Sequence, residues 1–537
     1  MAKLSGPSPL TASHLLLRGV FHDRIIPPLS TLGLNSCVNE IVNLARDLIR
    51  RRKPSVRARC VQHSVPKSKH LRRVLSIPNP LQQSVLCCEV ADNWKDLWRL
   101  CKESPFSLSM PHVSTKRALE SEHDRKWVNV ERARRSVGAR YVLSTDIARF
   151  YPSIYTHSIG WAVHGKAEAR ADNAHSLYGN RIDRWVRETQ DRQTGGIPIG
   201  PDTSFLIAEV VASRLDKLLQ TAFTSRRIRG TRYIDDYNLY FLSLSDAEKA
   251  LAVLHGAARQ FELDINDAKT EIREVPEPLE PYWKTQLRGV RLRSGDHSTS
   301  LKALFDRASE LSKQFPQDSV FTYVAKQVLS AEEIDDWTIC EALLMRSSLG
   351  EPSMLPWVLQ IYQKHEKTKS AALAETIDSL CGYHSQLQQG SEVAWALWFA
   401  RALNVELSHD TAVAVTKVDD DLVAIVALDL MAEKLLPKVR SNLWESHMNP
   451  GALYSDHWLL AYEAYEQGWL QPEKSGDYIA ADQHGCYAIL RKNGVRFYDP
   501  DTQWDGGFPN YSDDDDDDDG EEDEDEDNLT EENDKAI

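Results

Sequence analysis

The segment Thr231-Arg-Tyr-Ile-Asp-Asp-Tyr-Asn-Leu-Tyr-Phe241 constrains this chain most, because it sets two adjacent aspartates between β-favouring flanks. Such a pattern predicts a hairpin with the acids at its turn. Two carboxylates a few ångströms apart raise each other's pKa, so the pair is unfavourable unless a cation holds it. Taken alone, an Asp-Asp pair is more often an ordinary turn than a metal site. A further acid at the end of a neighbouring strand would complete a three-carboxylate cage. Tyr141-Val-Leu-Ser-Thr-Asp146 is a short apolar run ending in an aspartate, as expected of a buried strand that reaches a site at its end. Asp146, Asp235 and Asp236 together form a set of hard oxygen ligands suited to Mg²⁺, which binds through a few carboxylates plus substrate phosphates. Two such ions ~3.5–4 Å apart activate an attacking hydroxyl and stabilise a leaving oxygen in an in-line phosphoryl displacement. This reading requires Asp146 to lie beside the Asp235 turn, within about 10 Å of it, for ions so closely spaced to bridge them.

The chain has 537 residues, enough for two to four domains. Its net charge of −15 is concentrated at one end: Asp513 to Asp534 holds 17 carboxylates, beginning with seven consecutive aspartates. With those 17 and Lys535 set aside, the 79 acidic and 64 basic side chains become 62 and 63, so the body is neutral. The acidic segment cannot bury enough apolar area to offset its ordering entropy and is expected to be disordered. No window approaches ~18 consecutive apolar residues and the start is no clear signal peptide, so a cytoplasmic protein without a membrane partner is expected. The eight cysteines lack any C-x-x-C pair, and the 17 histidines show neither H-E-x-x-H nor paired ligand spacing. Neither a disulfide scaffold nor a zinc site is therefore expected. Cys87-Cys88 reads as core helix.

Between Arg46 and Arg73 stand eleven Lys/Arg and one acid, Asp47, which is either a phosphate-contacting strip or a solvated helix followed by a loop. From ~78 to ~285 strand-like and helix-like segments mix. Asp246 to Phe261 has Ala247, Leu251, Leu254, Ala258 and Phe261 on one helical face. Beyond ~295 the chain reads as helical, with Leu301, Leu304, Phe305, Ala308 and Leu311 on one face, and Leu422 to Leu436 apolar on nearly every side. Eight of the 14 tryptophans lie at or beyond Trp337, which supports a folded core there. Asn493-Gly494, between Cys486-Tyr-Ala-Ile-Leu490 and Val495-Arg-Phe-Tyr498, is a hairpin signal.

Four motifs in order then point to a family. Tyr233-Ile-Asp-Asp236 resembles the Y-x-D-D signature of reverse transcriptases, and Asp146-Ile-Ala-Arg-Phe-Tyr-Pro-Ser-Ile154 their first palm motif. Gly196-Ile-Pro-Ile-Gly-Pro-Asp-Thr-Ser204 resembles the second, and Leu263-Asp-Ile-Asn-Asp-Ala-Lys-Thr270 the later Asn-x-x-Lys-Thr element. With Arg73-Val-Leu-Ser-Ile-Pro-Asn-Pro80 upstream and a long helical C-terminal region, the chain is similar to the abortive-infection and defence-associated reverse transcriptases of bacteria. The resemblance implies an α+β fold. A basic N-terminal extension (1–75) leads into a fingers and palm domain (76–295). A mostly α-helical C-terminal domain of irregular repeats (296–500) and the acidic tail (501–537) follow.

By the same resemblance, Asp146, Asp235, Asp236 and the carbonyl of Ile147 hold two Mg²⁺ ions, with Mn²⁺ as a substitute. Tyr151 stacks under the sugar and blocks a 2′-hydroxyl, while Phe150 belongs with the core. Tyr233 lies against the end of the growing strand. Lys269 either stabilises and protonates the pyrophosphate or is an exposed lysine. Arg72, Arg73 and Arg117 are candidates for a triphosphate clamp, and Arg226, Arg227, Arg229 and Arg232 either follow a nucleic-acid backbone or are solvated surface. Most of the family carries Gln where Ile199 stands, so ordinary template-directed copying is in doubt.

The function implied is antiviral DNA synthesis from deoxynucleoside triphosphates, in relatives without a template and primed by a protein side chain. DNA would then be attached to the protein, with Tyr454, Tyr478, Tyr487, Tyr498 and Tyr511 as the C-terminal hydroxyls available. Relatives assemble as trimers or hexamers, and a non-coding RNA is a further candidate partner. The alternative is a conventional templated RNA-directed DNA polymerase of a retron or mobile intron.

Overall fold

The structure, a computed structural model, describes residues 6–51, 57–68, 71–172, 174–223, 227–290, 292, 297–472, 476–482 and 484–502. Arg226, Tyr511 and the acidic tail lie outside the described residues.

The centre of the chain is a four-stranded antiparallel sheet. Its strands are β5 (Tyr141–Asp146), β6 (Arg229–Tyr233), β7 (Asp236–Phe241) and β8 (Glu271–Glu274), in the order β6-β7-β5-β8. Four strands precede it in pairs: β1 (Val61–Ser68) with β2 (Leu71–Ile77), and β3 (Pro111–Val113) with β4 (Leu119–Ser121). β5 and β7 run in unbroken register from Tyr141 opposite Phe241 to Asp146 opposite Asp236. The run that read as a buried strand is one: Val142 and Leu143 are fully buried. The helix Leu244–Gln260 packs on β5 and β7. Ser243 starts it by accepting from the Asp246 amide at 3.2 Å. Its buried face carries Ala247, Ala250, Leu254, Ala257 and Ala258, and the small alanines let the helix lie close on the sheet.

The helix Asp202–Thr221 is buried on most sides because it threads between the sheet and the helices around it. The helix Pro80–Asp92 starts at an Asn79 cap, with Pro80 in the first turn where its missing N–H costs nothing. Cys87 and Cys88 lie in its buried interior, and all eight cysteines are buried thiols.

From His297 onward helices stack in succession, each packing on its neighbours one or two places along: His297–Gln314, Val320–Ser330, Trp337–Gly350, Leu355–Lys364, Ala371–Gln386, Gly390–Ala402, Asp421–Ala432 and Trp458–Glu466. Leu301, Leu304, Phe305, Ala308 and Leu311 are all buried, and Asp421–Ala432 is enclosed along nearly its whole length. The helix Gly390–Ala402 also packs on β1, so the C-terminal region docks on the β1–β2 hairpin. No helix among the described residues is long and apolar enough to cross a membrane.

One expectation is corrected. Asn493-Gly494 is no hairpin turn. Cys486–Lys492 is a helix, and Gly494, at φ 62°, ends it. The Gly494 amide donates to the Arg491 carbonyl at 2.9 Å and the Val495 amide to the Leu490 carbonyl at 3.0 Å, the double closure of a left-handed helix cap. The chain beyond it pairs with the N-terminal segment, Ser30 donating to the Phe497 carbonyl and Asp499 to the Pro28 carbonyl. Of the two readings of the basic stretch that begins at Arg46, the solvated helix holds for its first part: Val38–Arg51 is a helix in which Arg46 pairs with Asp92, and Arg50 and Arg51 with Asp47.

Candidate active site

Asp146 ends β5 directly opposite Asp236 at the start of β7. Its carbonyl accepts from the Asn266 amide at 2.9 Å on the β8 side, so its backbone groups face away from β7. Asp146 and Asp236 therefore form a pair without cross-strand hydrogen bonds, the narrow kind with Cα atoms about 4.5 Å apart and side chains close together on one face. Asp235 sits one residue away in the turn that joins Tyr233 to Asp236. The next residue, Ile147, bridges Ile265 through the amides of Ala148 and Asn266, and neither bond uses the Ile147 carbonyl. By the alternation of a strand that carbonyl faces the edge of the Asp235 turn.

Asp146 is nearly buried. Its Oδ2 lies 3.0 Å from Lys269 Nζ, and its Oδ1 is buried without a hydrogen bond. A buried carboxylate oxygen lacking a donor is costly unless a cation faces it. An all-oxygen donor set, one member of it orphaned, fits a hard divalent ion.

The turn is held from below by a fully buried charge network. Arg232, read from the sequence as a contact for nucleic acid or as solvated surface, is 0% exposed, which excludes both readings. Its Nε donates to Asp216 at 2.8 Å, its Nη2 to Glu209 at 2.6 Å, and its Nη1 to the Ile234 carbonyl at 2.7 Å. Tyr237 and Ser104 also donate to Asp216, and Ser107 and Ser109 to Glu209. Burial pushes the Asp216 carboxyl up, with Arg232 opposing the shift. Ser109 Oγ accepts the Ile234 amide at 2.8 Å. Ile234 needs this support because it sits at φ 55°, a left-handed conformation that a β-branched residue resists. Glu209, Asp216 and Ser109 carry no motif, so sequence reasoning did not find them. Acids spaced seven apart on an otherwise apolar helix were the available signal.

The aspartates open onto a cleft of about 1040 Å³. Ile147, Phe150, Tyr151, Ile199, Tyr233, Arg73, Arg117 and Lys269 all border it, as do the β1–β2 hairpin and the 195–202 loop. Tyr151 is half-buried. Burial first, and then the charges of Asp235 and Glu209, push its hydroxyl well above the usual tyrosine range. Phe150 is 3% exposed and packs edge-on beneath Tyr151, 5.9 Å between centroids, so it belongs to the core as well as to the cleft floor. Gly196, at φ 81°, turns the loop against Pro152, where a side chain would crowd the Pro152 carbonyl at 3.0 Å. The Ile199 carbonyl receives the Ser76 amide at 2.8 Å, tying this loop to β2.

Arg117 and Arg72 do not fit a triphosphate clamp. Every N–H of Arg117 is engaged: Nε and Nη2 on Asp202, Nη1 on Asp23 and the Phe21 carbonyl, Nη2 also on the Gly200 carbonyl. It braces the 200–202 loop. Arg72 holds Ser64 and grips both oxygens of Glu392 in the C-terminal region. Arg73 borders the cleft, near enough to Tyr151 for its charge to pull the hydroxyl pKa down. Tyr454, Tyr478, Tyr487 and Tyr498 donate to Asp482, the Ala461 carbonyl, the Leu453 carbonyl and Asp429, and the last three are buried.

Part of the chain is similar to known proteins. The retron Ec86 reverse transcriptase of Escherichia coli is 28% identical over 134 residues, 25% of this chain and 38% of that protein. The match thus spans well under half of that relative's length. Telomerase from Candida albicans, solved with a TWJ fragment of telomeric RNA, aligns at 12% identity over 66% of this chain and 65% of its own, with a TM-score of 0.29. Apo telomerase from Candida tropicalis aligns at 10% identity over 75% and 72%, with a TM-score of 0.31. Residues 84–302, which carry all three cleft aspartates and their supporting network, match the family described as reverse transcriptase (RNA-dependent DNA polymerase).

Proposed function

We propose that this chain is a DNA polymerase of the reverse transcriptase type that adds deoxynucleotides in the cleft and serves in antiviral defence. One observation carries the reading: Asp146 pairs directly with Asp236 beside the Asp235 turn, at the floor of a cleft of about 1040 Å³. Asp146, Asp235, Asp236 and the Ile147 carbonyl would hold two divalent ions, Mg²⁺ or Mn²⁺. Bound there, the ions activate an attacking hydroxyl and offset charge on the leaving oxygen.

The chain's own residues do the rest. Lys269 offsets the charge of Asp146, and once that carboxylate turns to a cation its ammonium is available to the pyrophosphate. Tyr151 presents a rigid ring where the sugar of an incoming nucleotide would lie, which favours deoxynucleotides. Of the three arginines read as a triphosphate clamp, Arg73 is the one we assign to the triphosphate: it borders the cleft, whereas Arg117 is held by Asp202 and Arg72 by Glu392. Ile199 offers the template side an aliphatic surface in place of hydrogen bonds, which supports synthesis without a conventional template. The defence role rests on the motif resemblance. The four described C-terminal tyrosines are engaged within the fold, so they do not support priming by those hydroxyls.

A second reading, templated RNA-directed synthesis, is favoured by the similarity to the retron enzyme. Purified protein incubated with each deoxynucleotide and Mg²⁺, with and without a primer–template, separates the two. DNA made without added nucleic acid is expected under the first reading, and DNA made only on the primer–template under the second. The Asp235→Asn, Asp236→Asn protein should make none. Absence of synthesis by the unaltered protein in both arms overturns the polymerase itself.

A further inference from the structure

Away from the cleft, one place in the C-terminal region gathers histidine and aspartate side chains from three separate segments. Asp419 precedes the helix Asp421–Ala432, His447 follows the short helix Asn442–Glu445, and His457 stands at the start of the helix Trp458–Glu466. One ligand atom from each lies within 4.8 Å of the other two, and among the described residues no other His, Cys, Asp or Glu group does this. The spacings, 28 and 10 residues, match no short motif, which is why the histidines read as unpaired in the sequence.

The surroundings are those of a metal ligand set. His457 Nδ1 lies 2.8 Å from Asp421 Oδ1, and Asp421 is itself fixed by the Leu460 amide at 2.9 Å. That bond sets the tautomer with the proton on Nδ1 and leaves Nε2 as the lone-pair donor, the outer-sphere arrangement that orients metal-bound histidines. His457 Nε2 stands 3.7 Å from Asp419 Oδ1. That is too long for a hydrogen bond and close to the edge of about 3.3 Å of a tetrahedron built from bonds of about 2.0–2.1 Å. The His447 Nε2 is buried without a hydrogen-bond partner. Trp444 Nε1 donates to the Val418 carbonyl at 3.1 Å and Ser441 Oγ to the Thr416 carbonyl at 2.8 Å, so the segments carrying His447 and Asp419 are tied together beforehand. The two imidazoles stack, 3.7 Å between centroids and 22° between planes. A shared ion asks the His447 ring to turn out of that stack, and its Nε2 has no hydrogen bond to lose.

We propose that Asp419, His447 and His457 form a second metal site, which takes a Zn²⁺-like transition cation with water as its fourth ligand. Two imidazoles and one carboxylate suit such an ion and not Mg²⁺. Asp419, half exposed, gives it a path from solvent. The ion staples three segments at the start of the helix Trp458–Glu466, next to Asp456, which borders the cleft.

The test uses tag-free full-length protein stripped with a chelator, then titrated with Zn²⁺ and, for its visible ligand-field bands, Co²⁺. Metal content per chain after gel filtration and the shift in melting temperature are read together. The unaltered protein should hold one Zn²⁺ per chain, gain thermal stability and give four-coordinate Co²⁺ bands. Asp419→Asn, a change at an exposed position that the fold tolerates, and His447→Gln should each weaken binding by about tenfold or more. The Asp235→Asn, Asp236→Asn protein should keep the Zn²⁺ in full. The proposal is overturned if the unaltered protein retains no Zn²⁺, if Asp419→Asn and His447→Gln bind as tightly as it does, or if the cleft variant alone loses the ion.

Discussion

Arg232 supports the turn that carries Asp235 and Asp236, yet nothing in its local sequence marks it as buried. Arg227, Arg229 and Arg232 look alike as letters. The structure leaves the first two exposed and takes the third to the middle of a carboxylate pair. Sequence reveals charge and period, but not which basic residue a neighbouring helix will answer with acids. Replacing Arg232 with Met leaves Glu209 and Asp216 buried and unpaired, which costs about 3–5 kcal/mol. Urea unfolding followed by circular dichroism should show that loss, and a midpoint unchanged from the unaltered protein would mean the two acids protonate at no cost. Glu463 is a second buried acid invisible to pattern. It is fully buried and accepts the Phe497 amide at 3.0 Å, and burial pushes its carboxyl up to about 7. A carboxyl whose folded pKa lies above its unfolded value of 4.5 stabilises the fold in its protonated form. That contribution is complete below about pH 4.5 and is lost as pH rises through about 7, amounting to about 3 kcal/mol. Glu463→Gln should therefore unfold with a flatter pH dependence than the unaltered protein. Parallel slopes between about pH 5 and pH 8 would assign the shift to other groups.

Elements were readable where one period dominates. The short apolar run into Asp146, the acid-tipped hairpin and the helix Leu244–Gln260 all follow from residues adjacent in sequence. Asn493-Gly494 was misread because Asn-Gly serves two geometries: both a hairpin turn and a helix cap need a residue at positive φ. The choice here went to the cap, since Leu490 and Val495 bury on the core side and close the last turn. The segment that follows shows what long-range packing adds. Gly33 lies so close to it that a Cβ would stand 2.3 Å from the Arg496 carbonyl, backbone that cannot step aside alone. Gly33→Ala should therefore loosen the pairing between residues 28–30 and 497–499 at a cost of about 1–3 kcal/mol. Hydrogen exchange at the Ser30 and Asp499 amides should speed up by tenfold or more. Unchanged protection there would mean that the two segments shift as one.

Across the whole molecule, the feature least foreseen is how the C-terminal region grips the strands beside the cleft. No pattern links Arg72 to Glu392 or His63 to Asp420, pairs separated by 320 and 357 residues. Such contacts arise from the docking of preformed layers, and a single sequence carries no record of it. Arg72 reads as a phosphate ligand because a guanidinium can grip phosphate oxygens in a bidentate way. In the fold both Arg72 and Arg73 border the cleft, but the Arg72 guanidinium is held by Ser64 and Glu392. Glu392 is nearly buried and Arg72 about a quarter exposed, so the pair is not a screened surface bridge. A double-mutant cycle with Arg72→Met and Glu392→Gln should give a coupling of about 1–3 kcal/mol in thermal unfolding. Arg72→Met should be the more damaging single change, since it strands a buried carboxylate, whereas Glu392→Gln leaves a guanidinium that still holds Ser64. A coupling near zero would mean that the helical region rests on β1 by apolar packing alone. The orientation of Arg73 over the cleft would then owe nothing to the C-terminal half.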